Sequence, residues 1–181
     1  DYATKWSYGI NEMPNLMIAD FNGGASAGRL SEDSETAKLL KKYGYRGRQL
    51  KETLSAMPLY WGPQPFTAGP MYLGAISVFL FVLGLFLFKG KEKWWLLAAT
   101  VTAVLLGWGN HAMWFTKLAF RLLPMYSKFR TVSMALTILQ VTVPLLGFAV
   151  LDRIVKGEYG KKEFLKSGAL AYALTAGFCL I

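Results

Sequence analysis

The sequence predicts an all-α membrane protein with about four transmembrane helices, an interfacial amphipathic helix and an N-terminal helical and loop region on the outer face. Three observations predict it. From Gly69 to Phe88 there is no charge, and Leu73, Ile76, Val78, Phe79, Leu80 and Phe81 crowd every face. Roughly 20 apolar residues at about 1.5 Å each match the ~30 Å hydrocarbon core of a bilayer, whereas a soluble surface helix keeps a polar face. Apolar residues make up 54% and aromatics 15% of the chain, above the roughly 45–50% apolar of soluble domains. The net charge of +9 gathers beside apolar runs, at Lys38 to Lys51, Lys89 to Lys93, and Lys117 to Arg130 continuing to Lys166. Basic residues so placed set topology and meet anionic headgroups. No recognition motif accompanies them, so nucleic acid is not an expected partner and membrane lipids are.

Residues 1–65 form the first region. Asn22, Gly23, Gly24 and Gly28 mark tight turns. Ser31 is expected to cap a helix with Glu32, Asp33 and Glu35 in its first turn, Lys38, Lys41 and Lys42 near its end, and Gly44 as its stop. A second short helix is expected from Arg46 to Ala56. Three prolines between Pro58 and Pro65 forbid a regular helix there, and Tyr60 and Trp61 suit the headgroup layer. Residues 66–181 form the membrane region, with spans at about 69–88, 94–108, 132–151 and 168–181. The second is short and bracketed by Trp94, Trp95 and Trp108. Over about 112–123, Met113, Trp114, Leu118 and Leu122 recur at helical spacing away from Lys117 and Arg121, which predicts the interfacial helix. Gln140 and Pro144 interrupt the third span, as packing residues or as a kink. The last run is too short to cross, and the chain is expected to be an internal portion of a longer polytopic protein.

Alternating spans put Lys89, Lys91, Lys93, Arg153, Lys156, Lys161, Lys162 and Lys166 on one side, against Lys117, Arg121, Lys128 and Arg130 on the short loop of the other. The richer side is the cytoplasmic one. Residues 89–93 and 152–167 are therefore expected inside, and 1–65 and 109–131 outside a bacterial inner membrane.

The outer side gathers the candidate chemistry. Arg130 and Lys128 stand where a membrane helix begins, suited to a phosphate or to snorkelling, and Asn110 lies nearby. Asp20, Glu12 and His111 are the candidate catalytic groups. Glu12 and Asp20 also read as solvated loop charges, and His111 as an interfacial hydrogen-bonding residue. No metal-ligand spacing, P-loop, CxxC, HExxH or GxSxG is present.

The runs YWGPQPFTAGPMYLGAISVFLFVLGLFLFKGKEKWW, MWFTKLAF and LPMYSKFRTVSMAL, with the earlier YATKWSYGINEMPNLMIADFNGG and LSEDSETAKLL, resemble YfhO-type bacterial membrane proteins. The likeness covers nearly the whole chain and is most specific in YWG-x-QPFT-x-GP and KFR-x-VSM. It implies similarity to polytopic GT-C-type glycosyltransferases. These transfer a sugar from a polyprenyl-phosphate carrier to a cell-envelope glycopolymer or lipid on the outer face, with basic residues or a divalent metal stabilising the departing phosphate. The resemblance puts the catalytic acid in an outer loop outside these residues; Asp20 and Glu12 lack its motif. A transporter or flippase of lipid-linked intermediates, marked by Gln140 and Pro144, and a non-catalytic scaffold are the alternatives.

Overall fold

Gly69 and Gly74 decide where the longest apolar run becomes helical. In the computed structural model, which describes residues 4–123, 126–128 and 131–179, their φ angles are 145° and 93°, outside the helical region. The chain between them stays non-helical, and the N–H groups of Leu73 and Gly74 both donate to the Leu16 carbonyl at 3.1 Å. The first apolar helix is consequently Ala75–Leu87, of 13 residues, rather than 69–88. At 1.5 Å per residue that is about 20 Å, short of a bilayer.

Every element among the described residues is helical, in the order α1 (Glu35–Lys42), α2 (Gly47–Ala56), α3 (Ala75–Leu87), α4 (Glu92–Trp108), α5 (Met113–Leu122), α6 (Leu139–Val155) and α7 (Lys161–Cys179), with short 3-10 turns between them. The cap of α1 is Ser34, not Ser31: Ser34 Oγ accepts the Ala37 N–H at 3.2 Å, while Ser31 Oγ takes Asp33 N–H at 3.2 Å. Gly44, at φ 94°, ends the helix as expected. Ala37 on α1 and Leu50 and Leu54 on α2 bury against one another.

Two helical runs are long and apolar enough to cross a membrane. Glu92–Leu122 joins α4 and α5 through the 3-10 turn Gly109–Ala112, and Val132–Val155 joins the 3-10 turn Val132–Ile138 to α6. The four expected spans thus reduce to two of that length. α3 is too short, and α7 starts at Lys161 rather than 168, with Lys161, Lys162, Glu163 and Lys166 in its first turns. α5 forms over Met113–Leu122, but its faces divide otherwise than expected: Thr116 and Ala119 are buried, while Met113, Trp114, Leu118 and Leu122 are exposed together with Lys117 and Arg121 instead of apart from them.

α6 packs against α3 and α4, and α3 also packs against α7. The α3–α6 contact is closed by glycine on both sides. A Cβ at Gly84 would lie 2.8 Å from Leu146 Cγ, and one at Gly147 would lie 3.1 Å from Leu80 Cβ. Small residues let helix backbones approach in this way. Buried Leu139, Val143, Leu146 and Val150 form the inward face of α6, yet its outward face is equally apolar, with Val141, Leu145 and Phe148 exposed by 64%, 48% and 67%.

Thr100 of α4 and Thr142 of α6 meet hydroxyl to hydroxyl at 2.8 Å, and each also lies within reach of its own helix, at Leu96 and Ile138 carbonyls. Two hydroxyl protons serve three contacts, so only one hydroxyl donates across the interface. A Thr100→Val, Thr142→Val double-mutant cycle, read by unfolding in bicelles, is expected to give a coupling of about 0.6 kcal/mol.

The ends of the bundle differ. Lys89 Nζ meets Glu163 at 3.2 Å, and the Arg153 guanidinium lies 4.0 Å from the Phe88 ring, so the expected inner loops share one end. The segments around residues 4–8 and around Leu16 and Leu73, the 3-10 turn after α4 and the start of α6 share the other, where Tyr8 N–H donates to the Gly107 carbonyl at 2.8 Å.

Candidate functional site

The 3-10 turn Ile10–Leu16 carries Glu12 inward. Read from sequence as a solvated loop charge, Glu12 is 0% exposed. Its burial is made possible by donors converging on its carboxylate: the Tyr60 hydroxyl on Oε1, the Gly9 N–H on Oε2 at 2.7 Å, and a longer approach of Gln64 Nε2 to Oε2 at 3.4 Å. A buried carboxylate is tolerated only when its lone pairs are so satisfied. Its backbone carbonyl is used as well, accepting from Tyr8 Oη at 2.9 Å and Asn15 Nδ2 at 3.0 Å. Asn15 extends the network to Asn22, giving 2.8 Å from its Nδ2 to Asn22 Oδ1 and receiving Asn22 N–H at 3.0 Å. Gly62 has no side chain because a Cβ there would collide with Tyr60 Oη and Glu12 Oε1.

Tyr60 is half-buried and belongs to this network through its hydroxyl; Trp61 beside it is exposed. Burial, and then the hydrogen bond to Glu12, hold the Tyr60 phenol well above its ordinary value of 10.0. Burial, and then the Glu12 charge, do the same to Tyr8. The folded state thus keeps protons that the unfolded chain releases above about pH 10. Below that pH this contribution to stability is complete, and it declines as pH rises. The unfolding midpoint is expected to fall on alkalisation above pH ~10, and the slope to flatten in Tyr8→Phe with Tyr60→Phe.

Gln64 and Tyr8 also face a recess of about 360 Å³ that α6 and its preceding turn complete with Ser133, Thr137 and Gln140, and that Tyr72 flanks. Pockets of about 300–1,000 Å³ are the size of small-molecule sites. No charged side chain among the described residues lines it. Gln140, expected to serve helix packing or transport, is exposed to this recess rather than packed. Pro144 sits inside α6 without ending it, and it has no N–H to give the Gln140 carbonyl. The side chains of Tyr72, Ser133, Thr137 and Gln140 have no hydrogen-bond partner among the described residues. Their signal was present in the sequence: Ser133, Thr137 and Gln140 stand four and three apart, one polar stripe on an otherwise apolar run.

The other candidates are dispersed. Asn110 is a tether, its Nδ2 donating to the Thr4 carbonyl at 2.9 Å and its N–H to Ser7 Oγ at 2.8 Å. His111 opens on a separate, mainly apolar recess with Ile10, Pro14, Phe21 and Phe178. Asp20 is exposed in a turn, at φ 54°. Lys128 is exposed on the short 3-10 turn Tyr126–Lys128. Arg130 lies outside the described residues. Among the described residues no group of three or more His, Cys, Asp or Glu comes together to hold a divalent metal. No family model, no curated protein and no solved structure matches the chain.

Proposed function

We propose that this chain is a multi-pass, membrane-embedded portion of a glycosyltransferase-like protein of the YfhO type, acting on a polyprenyl-phosphate-linked sugar at the outer face of a bacterial inner membrane. The observation that carries the proposal is the juxtaposition of the polar recess, the N-terminal region and the segment before α6 at one end of helices with apolar outer faces. A substrate that is half lipid and half sugar needs such a junction. In the reaction an acceptor hydroxyl forms a bond to the anomeric carbon as the bond to phosphate breaks, the hydroxyl proton passing to a carboxylate and the electron pair leaving with the lipid phosphate. Glu12 is not that carboxylate, since it is enclosed and fully engaged. Lys128 and Arg130 are the residues proposed to meet the departing phosphate.

Two experiments test this reading. With Cys179→Ser as background, Asp20→Cys is expected to react with a membrane-impermeant maleimide on intact cells, and Lys91→Cys only after permeabilisation. The reverse pattern overturns the orientation. In the full-length protein, Lys128→Ala with Arg130→Ala is expected to lower envelope-polymer glycosylation at unchanged expression; undiminished glycosylation removes the phosphate role.

A further inference from the structure

We infer that the recess between Gln64, Tyr72 and the Ser133–Thr137–Gln140 stripe is a binding site for an uncharged pyranose ring, held by neutral hydrogen bonds and an aromatic face. It deepens the glycosyltransferase reading by assigning the sugar, rather than the phosphate or the lipid, to this wall. Four observations lead there. The recess has the volume of a small-molecule site, about 360 Å³. Its polar lining is made of amides and hydroxyls, with no charged side chain among the described residues to pair with a phosphate or carboxylate. The side chains of Tyr72, Ser133, Thr137 and Gln140 have no hydrogen-bond partner among the described residues. Amide and hydroxyl groups both donate and accept, as the hydroxyls of a sugar do.

The fourth observation concerns rigidity. Gln64 is fixed from behind, its Nε2 near the buried Glu12 carboxylate and its N–H on Tyr60 Oη at 3.2 Å. Across the recess, Ser133, Thr137 and Gln140 ride on a helical run whose inner residues Leu136 and Leu139 are buried. Two walls of the site are thus set before a ligand arrives, which limits the ordering cost of binding. Tyr72, 53% exposed and lining the recess, supplies an aromatic ring of the kind on which the C–H side of a pyranose packs.

The test uses the chain in phosphatidylethanolamine–phosphatidylglycerol nanodiscs, with saturation-transfer NMR of methyl glucopyranoside, galactopyranoside, mannopyranoside and 2-acetamido-glucopyranoside. At least one is expected to bind, and its affinity to fall about tenfold in Gln140→Leu and in Thr137→Val. Both residues are exposed, so an unchanged unfolding midpoint is expected to accompany the loss. Inorganic phosphate is expected not to compete. The site is overturned if no hexoside binds, if phosphate displaces the hexoside, or if both variants bind as the parent does. Competition by a prenyl-phosphate hexose identifies a lipid-linked source, and its absence a free sugar; either supports the pyranose assignment. Binding retained by a protein inactive in glycosylation sinks only the transferase reading, and glycosylation without binding sinks only this site.

Discussion

Glu12→Ala is expected to destabilise the protein by about 3–5 kcal/mol, among the largest effects of any single side chain here. Its removal strands the Tyr60 hydroxyl and the Gly9 N–H, and it frees Gln64 from its anchor. Glu12→Gln keeps the shape and one acceptor oxygen but turns an NH₂ toward groups that themselves donate. A loss of about 1–2 kcal/mol follows from that mismatch. Thermal unfolding in nanodiscs measures both. If Glu12→Ala matched the parent, the enclosed carboxylate would not be what joins the N-terminal turn to the Pro58–Pro65 loop. The contrast between the two variants also separates lost hydrogen bonding from lost volume, because Gln fills the same space.

Gly84→Leu is expected to be comparably damaging for a different reason. The place its side chain would occupy is taken by Leu146, with a Cβ alone reaching 2.8 Å from Cγ. Overfilling a packed contact costs about 1–3 kcal/mol and sometimes more. Here α3 must move off α6, and that displacement spreads to α7 because α3 packs on both. The matched variant Gly84→Leu with Leu146→Ala returns volume to the same spot and is expected to recover at least half of the loss, as sites in contact couple. Failure of the pair to recover anything would mean that the damage lies in the backbone of α3 and not in the contact with α6.

The parts of the fold that were legible in the sequence are those governed by local chemistry. Gly44 ended α1, Pro58 ended the run after Ala56, and the apolar run 94–108 located α4 to within two residues. The run 132–151 found the helical stretch but not that its first seven residues are a 3-10 turn and that α6 proper starts at Leu139. Apolarity alone misplaced the boundary of α3, since Gly69, Pro70 and Gly74 carry no charge to interrupt the run, yet the φ angles of Gly69 and Gly74 are ones a helix rejects and Pro70 lacks an N–H. Ser31 and Ser34 are chemically equal caps, and the helix that starts at the later one carries Ala37 into the contact with Leu50 and Leu54 of α2. Glu12 was misread because two of its three donors lie far along the chain, Tyr60 at 48 and Gln64 at 52 positions away. The candidate site was half visible. Gln140 drew notice as a polar residue in a span, yet its companions Tyr72 and Gln64 become neighbours only when two loops close over the end of α6.

The N-terminal segment is fastened by groups that are made long after it. Asn110, whose N–H donates to Ser7 Oγ and whose Nδ2 donates to the Thr4 carbonyl, is 103 and 106 positions downstream of them. At ribosomal speeds of about 5–20 residues per second, the opening stretch waits roughly 5–20 s before its anchor exists. Its Glu12 and tyrosines spend that interval without their final surroundings, so the order of synthesis, and not the strength of any bond, sets when this end of the molecule first becomes whole.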